Sequence, residues 1–148
     1  MNNQERYILF YVGTELYGTP LLDVREVVEY QVPKYMPNMV PHFSGVINIR
    51  GSIVGVMDLR KKFSTSQEIT KTTACLVSDS NQGSIAAVVD RVDSVITLGD
   101  DLIDRKPPVV SAIAQDYLIG VARVKDQLVT LIELHHLLSD EKLVKVSA

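Results

Sequence analysis

Two stretches of this chain, GVINIRGSIVGVMDLRKKF from Gly45 to Phe63 and GVARVKDQLVTLIELHHLL from Gly120 to Leu138, align without a gap at an offset of 75 residues. Gly45/Gly120, Val46/Val121, Val54/Val129 and Leu59/Leu134 are identical. Ile49/Val124, Arg50/Lys125, Ile53/Leu128, Val56/Leu131, Asp58/Glu133 and Phe63/Leu138 keep their chemical type. A chain of 148 residues is little longer than twice that offset, so one building unit is used twice. Solenoids and propellers need three or more repeats, which leaves a pair of similar lobes. Each lobe would be marginal alone, because small bodies bury a smaller share of their surface, so the two are expected to share an interface.

The apolar runs within each copy are short, rich in Val, Ile and Tyr, and broken by glycines and polar pairs, the pattern of strands. Strands are expected at Tyr7 to Val12, Leu16 to Thr19, Val46 to Arg50, Ser52 to Met57, Ala74 to Ser78, Ser84 to Val89, Tyr117 to Val124 and Leu128 to Leu134. From Pro20 to Val28, apolar residues at spacings of three and four predict one or two helical turns. Val92-Asp93-Ser94-Val95 answers Val24-Arg25-Glu26-Val27. Gln31 to Pro41 holds three prolines and reads as loop. Ser64 to Thr72 reads as a polar connector, and Leu98 to Pro108 as irregular. Helical turns are expected at Leu59 to Phe63, capped by Asp58, and from His135 to about Leu143. The fold class is mostly β, two packed five-stranded barrels with short helices, because curling removes exposed strand edges.

Composition narrows the function. A net charge of −3 argues against general affinity for nucleic acid. No apolar run approaches the length of a membrane span, and nothing resembles a signal peptide. The one cysteine, Cys75, lies in an apolar run, is read as core, and fits a reducing cytoplasm. No GxSxG, HExxH, paired CxxC, GxxxxGK[ST] or GxGxxG pattern occurs. His135 and His136 would point about 100° apart on a helix, which makes them poor joint ligands. His42 stands alone, and Asp100, Asp101 and Asp104 read as a surface acidic patch. The expectation is a binding module with no catalytic set, no metal and no cofactor.

The first repeat block resembles the signature of the CheW family of chemotaxis coupling proteins. YILFYVGTELYGTPLLDVREVVEY is similar to that family's opening hairpin and connector, AAVVDRVDSVITL to its mid-chain segment, and YLIGVARVKDQLVTLIELHHLL to its closing hairpin and helix. The resemblance implies one domain over residues 6–140, with approximate repeats at 6–63 and 73–138 and barrels of the SH3-like type. It implies a non-enzymatic, cytoplasmic adaptor between the tips of methyl-accepting chemoreceptors and the regulatory domain of a CheA-type histidine kinase, with ring assembly alongside the kinase. It places Val24, Glu26, Val27 and Arg50 at the receptor surface and Ser44, Gly45 and Val46 at the kinase surface. The physical case for Arg50 is its planar fork of donors at a hairpin turn, suited to a carboxylate. Bland readings stand beside these: a solvated turn charge for Arg50, core packing for Val24 and Val27, and strand entry for Gly45. The chain departs from the family pattern at Gly55, where Pro is usual, and at His135-His136. A related signalling pathway and a small nucleic-acid-binding barrel are the alternatives, the second opposed by the charge and the absence of Trp.

Overall fold

In the computed structural model, residues 4–39, 43–80, 83–105 and 117–139 are described. Strands dominate, because β-branched and aromatic side chains fill both faces of most segments. In chain order they are β1 (Gln4–Val12), β2 (Glu15–Pro20), β3 (Glu26–Glu29), β4 (Phe43–Ile49), β5 (Ser52–Asp58), β6 (Ala74–Ser80), β7 (Gly83–Val89), β8 (Arg91–Gly99), β9 (Ile103–Asp104), β10 (Leu118–Val124) and β11 (Gln127–Ile132). Two short helices, α1 (Leu59–Lys62) and α2 (Leu134–Ser139), follow the two repeat hairpins. The strands form two sheets, ordered β3-β6-β7-β5-β4 and β8-β1-β2-β11-β10-β9.

This order reveals a reciprocal exchange. The opening hairpin β1–β2 lies in the sheet that carries the late strands, and the mid-chain hairpin β6–β7 lies in the sheet that carries β3, β4 and β5. The exchange obeys the repeat: β5 pairs with β7 in parallel, and β11 pairs with β2 in parallel. Three apolar cores result. Ile47, Ile49, Val54, Val56, Cys75, Val77, Ala86 and Val88 fill the first sheet, with Val28 packed against them. Because β3 and β4 lie at opposite edges yet feed one core, that sheet must curl. Tyr7, Leu9, Leu16, Leu98, Ile103, Ala122, Val129 and Leu131 fill the second. The alternate residues of the exchanged hairpins, Ile8, Phe10, Val12, Leu76, Ile85, Ala87 and Val89, form the third core between the sheets, with Leu59, Leu134, Leu137 and Leu138 from the helices. Each exchanged hairpin thus buries both faces, which explains runs such as YILFYV.

Several expectations are corrected. From Pro20 to Val28 only Leu21–Asp23 makes a 3-10 turn; Glu26 to Glu29 is extended and pairs with Val77 to Ala74. The β-branched pair Val27-Val28 and a free partner strand outweigh the helical spacing. The second sheet has six strands rather than five, because Ile103–Asp104 pairs with Ala122 and Val121 within the stretch read as irregular. The closing helix begins at Leu134. His42, Pro107, Pro108 and the helix beyond Ser139 lie outside the described residues.

Cys75 is wholly buried, and burial pushes its thiol up to about 11. Since only the thiolate attacks, a thiol reagent should modify the native protein about 100-fold more slowly than the urea-unfolded chain. Comparable rates in absorbance-monitored labelling would show that the β6 strand opens readily.

Candidate functional site

The β4–β5 hairpin closes through two residues with positive φ, Arg50 at 50° and Gly51 at 89°. This is the mirror-type turn whose twist matches antiparallel strands. The Gly51 amide donates to Asn48 Oδ1 at 2.8 Å and fixes the turn. A side chain in the left-handed region has a conformational cost that glycine avoids, so Arg50 occupies a position its backbone does not favour.

The guanidinium of Arg50 bonds both carboxylate oxygens of Glu26, each at 2.6 Å from Nη2. Glu26 shares the inward face of β3 with Val28, so its carboxylate meets the turn from across the curled sheet. Arg25 extends the chain of charges: its Nε lies 3.6 Å from Glu26, and its Nη1 donates to Asp79 Oδ1 at 2.9 Å and Ser84 Oγ at 3.0 Å. Arg25, Glu26, Ile49, Arg50 and Ser52 line one open cleft. The Arg50 side chain is 71% exposed while Glu26 is 21% exposed, so the acid is the fixed base and the arginine the presented group. An exposed pair of this kind adds little to folding.

The hydrogen bond from Arg50 holds the Glu26 carboxyl below its ordinary value of 4.5. A depressed carboxyl stabilises the folded state above that ordinary value and loses its contribution as pH falls through the folded-state value. In an NMR titration the Glu26 side-chain carbon should therefore show a midpoint below 4.5, and Arg50→Ala should raise it. An unchanged midpoint would mean that the pair does not persist in solution.

The other sequence candidates separate. Val27 points outward and is 44% exposed, whereas Val24 packs against the core between the sheets. Ser44 and Val46 are half-buried on the edge strand β4. Gly45 is buried with φ +145°, and a Cβ there would run into the carbonyl of Lys34 and would stand 3.0 Å from Pro33 Cβ. The proline-containing segment crosses at that point, held by Lys34 N to Val46 O at 2.8 Å and Val46 N to Lys34 O at 2.9 Å. The second copy is built alike: a Cβ on Gly120 would lie 2.5 Å from the Asp104 carbonyl, and Val121 pairs with Asp104. The identical Gly-Val dipeptides are thus crossing points, where glycine admits a second backbone and valine bridges to it. Gly55 is covered by the Phe43 ring, which stands 3.1 Å from where its Cβ would be.

One residue escaped the sequence reading. Arg60 is fully buried at the start of α1. Its Nε and Nη2 donate to the two oxygens of Asp58, both at 2.9 Å, and its Nη1 reaches the Glu68 carbonyl at 2.6 Å and Asp90 Oδ1 at 3.2 Å. Asp90 Oδ2 in turn accepts from the Gly13 amide at 2.6 Å. The Asp58 bonds raise the guanidinium above its already high value, keeping it charged. Arg60 therefore ties α1, the polar connector and the β1–β2 turn together. The carboxylate-Leu-cation order of Asp58-Leu59-Arg60 was visible in the repeat; its burial was not. The counterpart His135 makes a lighter tie, through its ring Nδ1 and the Asp79 carbonyl at 2.6 Å.

Among the described residues no group of three or more His, Cys, Asp or Glu could hold a metal ion. The sequence pattern of the CheW-like domain matches residues 6–142. The chain is 30% identical to the chemotaxis protein CheW of Klebsiella aerogenes over 96% of its length and 86% of that protein's. It is 27% identical to the chemotaxis protein CheW of Bacillus subtilis over 93% and 88% of the respective chains. The crystal structure of the scaffolding protein TtCheW from Thermoanaerobacter tengcongensis superposes with a TM-score of 0.78 at 29% identity, covering 90% of this chain and 86% of that one.

Proposed function

The chain belongs to the CheW-like domain family, and from that premise we propose that it joins chemoreceptor tips to a CheA-type histidine kinase through two separate surfaces. Its role is that of an adaptor, or scaffold, in chemotaxis signalling. The receptor surface is the cleft of Glu26 and Arg50, flanked by the exposed Val27, with Val24 bracing the connector from beneath. The observation that supports it is the exposed guanidinium held on a fixed carboxylate at a strained turn. A partner carboxylate or set of carbonyls can engage the remaining donors of a fork already oriented by Glu26. The kinase surface is Ser44, Gly45 and Val46 with the crossing segment above them, where Val32 is 84% and Tyr35 75% exposed. Apolar side chains of that size, held on a stapled loop, suit a protein interface. The protein works without catalysis or cofactor, in the cytoplasm beside the receptor array. No helix among the described residues is long and apolar enough to cross a membrane.

Co-sedimentation of the protein with a receptor signalling fragment and a CheA-type kinase, followed by kinase autophosphorylation, tests this reading. Arg50→Ala should fold as the wild type, lose receptor binding by about tenfold or more, and still bind the kinase. Equal receptor recovery and equal kinase activation by wild type and variant would refute the assignment of Arg50.

A further inference from the structure

The register of the two sheets makes their surfaces comparable residue by residue. Across the first sheet, Glu26 pairs with Val77, Val77 with Ala86, and Ala86 with Val56. Across the second, Ser94 pairs with Leu9, Leu9 with Gly18, and Gly18 with Leu131. Val56 and Leu131 are aligned in the sequence repeat, so Ser94 occupies the place of Glu26. The β10–β11 turn repeats the β4–β5 turn, with Lys125 at φ 49° where Arg50 is at 50°.

The outward residues match as well. Ile53 and Leu128, equivalent in the repeat, are 68% and 62% exposed; Val27 and Val95, equivalent by register, are 44% and 48% exposed. Neither pair fills a core, and each tip holds a basic residue in a conformation that glycine would relieve. Features that cost something in folding and contribute nothing to packing mark a surface used for contact.

The tips differ in one respect. Arg50 has its carboxylate in cis, and Lys125 does not: the equivalent position is Ser94, whose hydroxyl turns to Asp93 at 2.8 Å, and Asp93 lies 3.8 Å from Arg91. No described carboxylate lies within ion-pair distance of Lys125. The turn itself carries Arg123 and Lys125 against Asp126, and Glu15 follows beside Leu128 in the β2–β11 register.

We propose that the Lys125 tip is a second docking site, which takes a polypeptide presenting a carboxylate beside an aliphatic side chain. The carboxylate does from outside what Glu26 does from within, and the aliphatic group covers Leu128. The site is independent of the receptor and kinase surfaces assigned above.

The test is an NMR titration of the isotope-labelled full chain with a soluble peptide carrying Glu-Val pairs separated by serines, and with its Gln-Val counterpart. The amides of Lys125 and Leu128 should shift saturably with the Glu peptide, and the Gln peptide should bind about tenfold more weakly. Lys125→Glu should abolish the shifts. Ser94→Glu, which supplies the carboxylate in cis, should weaken the peptide about fivefold or more while leaving the spectrum of the rest of the chain intact. Equal binding of the two peptides, shifts confined to the Arg50 tip, full binding by both variants, or no saturable shift would each overturn the proposal.

Discussion

Arg60→Ala should destabilise the protein by about 3–5 kcal/mol, the loss expected when one partner of a buried ion pair is removed. The guanidinium has no solvent exposure and bonds Asp58 through two nitrogens, Glu68 through its carbonyl and Asp90 through its carboxylate. Truncation leaves the Asp58 carboxylate, only 9% exposed, without its cation. It also frees the Glu68 carbonyl and loosens the Asp90 contact that receives the Gly13 amide. Urea melts should show a lowered midpoint. The companion Asp58→Asn/Arg60→Met, which removes both charges and keeps a side-chain oxygen for capping, should recover about 1–2 kcal/mol of the loss. An Arg60→Ala melt within about 1 kcal/mol of wild type would mean that water replaces the guanidinium without penalty.

Gly45→Ala should destabilise by about 3 kcal/mol and free the crossing segment. Two effects add. The backbone at φ +145° is unfavourable for any residue with a Cβ, and that Cβ would meet the Lys34 carbonyl, which is backbone and cannot swing away. The two bonds between Lys34 and Val46 would break first, so hydrogen exchange at the Lys34 and Val46 amides should accelerate more than at β6 or β7. Gly120→Ala should show the same sign with a smaller loss, since it meets Asp104 without the positive φ. If Gly45→Ala kept its stability and its Lys34 protection yet lost kinase binding, Gly45 would be a contact residue rather than a crossing point. The structural effect predicted here means that a binding defect at Gly45 has to be read against the stability of the variant.

The fold was legible where a pattern is local. Alternation and β-branching marked the strands from Tyr7 to Val12 and from Ser84 to Val89, and the paired turns at Arg50-Gly51 and Lys125-Asp126 followed from the repeat. The segment from Glu26 to Glu29 was misread because its spacing also suits a helix, and only its pairing with β6 decides the matter. The family resemblance placed Glu26 and Arg50 at one surface, but their direct contact depends on the curl of the sheet. Arg60 was missed because an arginine after a capping aspartate looks like an ordinary helix-surface residue.

The sequence by itself determined that one unit is used twice, that the unit is built of strands, and that Gly45 and Gly120 hold equivalent places, because identity and periodicity are written along the chain. Only the tertiary structure decided that each unit lends its first hairpin to the other's sheet, that those hairpins supply the core between the sheets, and that Glu26 reaches Arg50 across the curled sheet. Pairing partners are chosen by which apolar faces can be buried together across distant segments. Such a choice leaves no mark in any one stretch of sequence.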